Sequence, residues 1–257
     1  KPKQPQCNLR CSALAPDGQW MACSDSETRL YALTLAPDPA PGHKPDPSES
    51  AIRVQRVPLP EEVPLASCMA FSDDSRLLLL GATSGVVVAV QLGAPTPHRD
   101  AALAVPTLHV LRGVLRPPAL EGSADGKERR AALTQLALSP DGQWLAAFDA
   151  ARHVRVFSLD SFQLTATVPC LSSPPTAIGF SPSSDILAIA SANKQLTLFD
   201  VERGCLAPWC ARNAASLPAI AGRPEVVSRI VFNPARPDAL VLCAQSWLCH
   251  VSLAESG

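Results

Sequence analysis

Net charge is nearly absent from this sequence: 22 Lys and Arg against 23 Asp and Glu leave −1 across 257 residues. Such a balance gives no global pull toward nucleic acid or an anionic membrane, so any RNA contact has to be regional. No window reaches the 18 or so uninterrupted apolar residues of a membrane span, and the opening KPKQPQCNLR has no apolar run like that of a signal peptide. The expectation is a soluble intracellular protein with no membrane partner.

Cysteine is plentiful, but the spacing that would make it a metal framework is missing. None of the nine cysteines forms a CxxC pair, and only Cys249 has a neighbouring histidine, His250. Zinc needs clustered soft ligands, so no metal is expected. Several cysteines fall inside apolar runs, QWMACSD and ALVLCAQ, where a free thiol behaves as a small hydrophobe. The odd count in a chain without a signal peptide favours a reducing compartment.

The usual signatures of chemistry are also lacking. The five histidines, His43, His98, His109, His153 and His250, are scattered, and neither a Gly-x-Ser-x-Gly elbow nor an HExxH motif occurs. GATSG, beginning at Gly81, lacks the lysine that would follow in a phosphate-binding loop. The adjacent carboxylates Asp73 and Asp74 read as a turn tip with no enclosing pocket to shift a pKa. No catalytic residue, cofactor or small-molecule substrate is expected, and the protein is read as not an enzyme.

What the chain does have is repetition. LAPDGQWMACSDSETRLYALTLA from Leu14 returns as LSPDGQWLAAFDAARHVRVFSLDS from Leu138. In each, a short apolar run ends in Pro-Asp-Gly, a second run follows, then a polar gap, then an alternating run. Proline presets φ, aspartate caps its own backbone, and glycine takes positive φ, which together suit a reversal between antiparallel strands. Three more copies follow the pattern: CMAFSDDSRLLLLGATSGVVVAVQL, AIGFSPSSDILAIASANKQLTLFDV and RIVFNPARPDALVLCAQSWLCHVSL.

With Asp17, Asp73, Asp141, Ser183 and Ala235 taken as equivalent turn positions, the intervals are 56, 68, 42 and 52 residues, read directly from the numbering. The shortest matches the period of a four-stranded blade. The longer ones hold insertions at 37–50 and 116–130, too rich in Pro, Gly and charge for packed strands. AIRVQRV, PTLHVLR and QLTATV supply outer strands for the first three copies. Trp20 and Trp144, at the same place after the turn, are expected to pack within their sheets, as are Phe71, Phe180 and Phe232 on the first strands.

These units resemble WD40 repeats, which implies an all-β, WD40-type β-propeller of about five four-stranded blades. Blade cores are expected near 7–35, 65–92, 132–159, 175–202 and 227–253 of a single propeller region spanning 1–257. The repeats are degenerate: no copy ends in Trp-Asp, the nearest being Phe199-Asp200, and no Gly-His pair opens a blade. Blade cohesion then falls to the apolar strands, at about 25 cal/mol per Å² of apolar surface buried. An incomplete arc of a larger ring is expected, because nothing at the start reads as the strand that would complete the last blade.

The order and wording of the five copies are similar to the cirhin-like nucleolar WD40 proteins of the small-subunit processome. That resemblance implies a non-catalytic scaffold in ribosome biogenesis, located in the nucleolus, with other processome WD40 proteins and the 5′ external spacer of pre-rRNA as partners. The repeats alone are equally compatible with a general WD40 interaction adaptor, such as a ubiquitin-ligase substrate receptor or a trafficking subunit. The candidate RNA or partner contacts are Arg112, Arg116, Lys127, Arg129 and Arg130, interleaved with Glu121, Asp125 and Glu128.

Overall fold

The computed structural model describes residues 8–35, 52–93, 131–161, 163–169, 171–183, 185–212 and 217–253. Its strands form five antiparallel sheets in which sequence neighbours are spatial neighbours. The first sheet holds β1 (Cys11–Leu14), β2 (Trp20–Ser24), β3 (Thr28–Leu35) and β4 (Ile52–Val57), in that order. The second holds β5 (Ala66–Phe71), β6 (Leu77–Ala82) and β7 (Val87–Gln91). The third holds β8 (Leu133–Leu138), β9 (Trp144–Asp149), β10 (Val154–Ser158) and β11 (Gln163–Thr167). The fourth is β12 (Pro175–Phe180), β13 (Ile186–Ser191), β14 (Leu196–Asp200) and the two-residue β15 (Cys205–Leu206). The fifth is β16 (Arg229–Asn233), β17 (Arg236–Cys243) and β18 (Leu248–Ser252).

Contacts divide the chain into two compact units: Lys1–Leu80 with Val88–Val110, and Gly81–Val87 with Leu111–Gly257. Within the first unit, Trp20, Ala22, Leu30, Ala32 and Val57 of the first sheet share a core with Ala66, Phe71, Leu78, Leu80 and Val90 of the second. The second unit has two cores. One joins Val154 and Val156 to Ile178, Phe180, Leu187, Ile189 and Phe199, with Trp144 packed against it. The other joins Ala188, Leu196 and Leu198 to Ile230, Phe232, Leu240, Leu242 and Val251. Each central strand therefore has to be apolar on both faces, as the burial of LLLLGA in β6 and ILAIAS in β13 shows. Gly179 lies at one such contact, where a Cβ would come within 3.3 Å of the Ile230 carbonyl oxygen.

The turns between first and second strands explain the repeated phrase. In the third sheet, Trp144 N–H donates to Ser139 Oγ at 2.9 Å and Gln143 N–H to Asp141 Oδ1 at 3.0 Å, while Gly142 takes φ 75°. In the second sheet, Leu77 N–H donates to Ser72 Oγ and Arg76 N–H to Asp74 Oδ1, with Ser75 at φ 58°. The residue equivalent to Asp17 and Asp141 is thus Asp74, not Asp73, because the capping carboxylate must sit two residues before the N–H it accepts. A non-glycine residue at positive φ is strained. Ser75 has a compensating use, since its Oγ accepts the Asp17 N–H at 3.1 Å and ties the first sheet's turn to the second's.

The fourth outer strand is cut short. After Leu206 the chain leaves the sheet into two short helices, α1 (Pro208–Arg212) and α2 (Pro218–Ala221). Pro208 and Pro218 open them, a position where the missing N–H would have no helical partner anyway. Ile220 anchors α2 in the core shared with the fifth sheet. The short apolar runs here have neither alternation nor turn phrases, so the repeat pattern gave no warning of helices.

Candidate interaction surface

Antiparallel order sorts the connections to opposite ends of each sheet. First-to-second turns lie at one end, and second-to-third turns lie at the other, together with the segments that enter the next sheet. Hydrogen bonds confirm the pairing at the second end. Thr28 Oγ1 donates to the Pro64 carbonyl at 2.9 Å and accepts the Ala66 N–H at 3.0 Å, fastening the segment that leads into β5. Ser172 Oγ donates to Gln195 Oε1 at 2.7 Å, and Asn193 Nδ2 donates to Ser172 Oγ at 3.0 Å. Glu225 Oε2 accepts from the N–H and Oγ of Ser246 at 2.9 and 3.0 Å.

Two grooves open at this end. The one in the first unit is about 370 Å³, with Thr28, Arg29 and Arg56 on one side and Leu59, Glu61 and Val63 on the other. The one in the second unit is about 330 Å³ and more apolar, with Leu171, Leu196, Leu206 and Pro208 among its walls and the Ser172–Gln195 pair at its rim. Cys210 closes part of this wall: its Sγ accepts the Leu198 N–H at 3.1 Å, and burial pushes its thiol pKa up.

Charge in the first groove is internally matched. Glu27 Oε1 lies 2.7 Å from Arg29 Nε and 3.0 Å from Arg56 Nη2, and Arg29 Nη1 lies 2.8 Å from Asp25 Oδ2. Asp25 is held down to a pKa of about 2, first by the Glu27 backbone N–H and also by Ser26 and Arg29. Glu27 is lowered first by its Arg29 hydrogen bond and then by Arg56, and Arg29 is raised in return. Two guanidinium groups facing two carboxylates leave no surplus for a free anion, so this groove suits a polar polypeptide surface better than phosphate.

A group whose folded pKa is depressed adds stability above its ordinary pKa and loses it as pH falls through the folded value. For Asp25 that window runs from its ordinary 3.8 down to about 2. Urea midpoints measured between pH 7 and pH 2 should therefore fall less steeply below pH 4 in Asp25→Asn than in the parent chain. Parallel acid limbs would show that the network adds no pH-dependent stability.

The equivalent place in the third sheet is built differently. Arg155 pairs with Ala147 across the sheet as Arg29 pairs with Cys23, and Asp149 and Asp25 each stand two residues beyond those partners. Asp149 and Arg155 are buried, at 2% and 6% exposure, and Arg155 Nη1 donates to Asp149 Oδ2. Asp149 Oδ1 also accepts the His153 backbone N–H at 3.0 Å. This is a structural clamp on the turn. A carboxylate followed by arginine four or six residues later was its visible signal in SDSETR and FDAARHVR.

The five basic residues singled out from the sequence, Arg112, Arg116, Lys127, Arg129 and Arg130, lie outside the described residues, as do His43, His98 and His109. Cys249 and His250 are successive residues of β18 and so point to opposite faces, with Cys249 packed against the core and His250 exposed. Among the described residues, no group of three or more His, Cys, Asp or Glu could hold a metal ion, and no helix is long and apolar enough to cross a membrane.

The architecture is that of a WD40-type β-propeller. It superimposes with a TM-score of 0.59 on the β-propeller domain of Cps50 (Swd1) from Myceliophteria thermophila, covering 97% of this chain and 72% of that one at 14% identity. No family model matches the chain. By sequence it is 28% identical over 255 residues to U3 small nucleolar RNA-associated protein 4 homolog from Mus musculus and, equally, to that from Homo sapiens. Similarity extends to U3 small nucleolar RNA-associated protein 4 of Schizosaccharomyces pombe, at 24% over 219 residues. The matches cover 98% of this chain for mouse and human, but the chain spans only about a third, 32%, of either relative's length.

Proposed function

We propose that this chain is a non-catalytic scaffold of ribosome biogenesis, acting in the nucleolus with other propeller proteins of the small-subunit processome on pre-rRNA. The supporting observation is the alignment over 98% of its length with proteins named for association with the U3 small nucleolar RNA. Blades with short connecting turns and paired surface charges offer platforms for protein contact. The RNA contribution is assigned to Arg112, Arg116, Lys127, Arg129 and Arg130, whose binding would be salt-dependent through counterion release.

Crosslinking the tagged full-length protein in cells, with sequencing of bound RNA and identification of its neighbours, is expected to enrich 5′ external spacer pre-rRNA alongside processome propellers. Replacing the five basic residues by glutamine should weaken RNA recovery while leaving the protein neighbours in place. Ligase or coat subunits without pre-rRNA would overturn the reading in favour of a general adaptor.

A further inference from the structure

The first sheet is apolar on both faces, yet the described structure covers only one. Cross-strand register places Leu14, Met21, Tyr31 and Arg56 in one row and Leu33 with Val54 and Leu35 with Ile52 in the next two, all on the face opposite the core residues Ala22, Leu30 and Val57. Exposure on that outward face reaches 60% at Leu14, 82% at Leu35, 48% at Ile52 and 61% at Val54. A sheet with one solvated face alternates apolar and polar residues, whereas one buried on both sides does not. β3 and β4, reading TRLYALTL and IRVQRV, place aliphatic residues outward where solvent would select polar ones. A contiguous apolar patch of this kind marks an interface.

Two further observations identify the occupant. The matched propeller domain has more than a quarter of its chain without a counterpart here, since only 72% is covered. The mouse and human relatives are about three times as long as this chain, which spans 32% of each. We propose that the outward face of β1–β4 seats a further four-stranded sheet of the same kind, supplied by sequence that the full-length protein has outside these 257 residues. The apolar rows of Leu14, Leu33, Leu35, Ile52 and Val54 would form its contact core, and Arg29 and Arg56 would stand at one end. This inference is independent of the ribosomal role, because it concerns only how a sheet face is covered.

The test is thiol labelling of single cysteine substitutions in the full-length protein, read peptide by peptide by mass spectrometry. Val54→Cys lies on the outward face, and Gln55→Cys, its neighbour on the same strand, points the other way and is exposed. In the full-length protein Val54→Cys should label at least about tenfold more slowly than Gln55→Cys, as expected for a site opened only by local unfolding. In the 257-residue chain alone the two should label at similar rates. Equal labelling in the full-length protein would overturn the proposal. So would protection of Val54→Cys that disappears on dilution, which would assign the face to a second copy, or protection that persists in the 257-residue chain.

Discussion

Asp149→Ala is expected to lower folding stability by about 3–5 kcal/mol, because it strands the Arg155 guanidinium in the interior without its counter-charge. Arg155 is only 6% exposed and its Nη1 donates to the lost carboxylate. The same substitution also removes the acceptor of the His153 N–H, which adds about 1 kcal/mol from the turn. Most of the loss is thus the penalty of an unpaired buried charge, and this can be checked separately. The double substitution Asp149→Leu with Arg155→Met removes both charges and should recover all but about 1–2 kcal/mol. Denaturant titration followed by tryptophan fluorescence would measure both; an unrecovered double variant would show that the pair stabilises through its own attraction.

A loss of similar size is expected from Phe199→Ala. Phe199 is fully buried at 0% exposure and packs with Val156, Ile178, Leu187 and Ile189, between the third and fourth sheets of the second unit. Truncation removes the apolar contact and leaves a cavity that paired sheets cannot collapse into, at about 3–5 kcal/mol. Leu206→Ala, at 43% exposure on the short outer strand, should change stability by no more than about 0.5 kcal/mol. Comparable effects at the two positions would show that cohesion does not reside in the inter-sheet contact.

The size of the Phe199 effect follows from the degeneracy of the repeats. Phe199-Asp200 is the nearest approach to a closing Trp-Asp pair, and in the structure Asp200 lies at the surface end of β14, accepting the Arg203 N–H at 2.8 Å in the following turn. Hydrogen bonding at that pair is local, so adjacent sheets depend on apolar contact. Asp25, Asp149 and Glu225 organise the second-to-third turns instead, each with a different partner.

By itself the sequence determined the sheets. Pro-Asp-Gly and its variants demand a reversal, and the flanking apolar runs can only be strands of a few residues, so the number of sheets and the packing role of Trp20, Phe71, Phe180 and Phe232 follow from local chemistry. The one-residue slip between Asp73 and Asp74 arose because two adjacent carboxylates look alike until a backbone N–H selects one. Tertiary structure alone decided the rest. Arg56 reaches Glu27 across 29 residues, Thr28 fastens Pro64 and Ala66, and Glu225 caps Ser246, contacts that depend on strand register and on the path of connections rather than on any local phrase. The outward apolar face of the first sheet belongs to the same class: alternation shows that both sides of a strand are apolar, but only the packed structure shows which side is already covered.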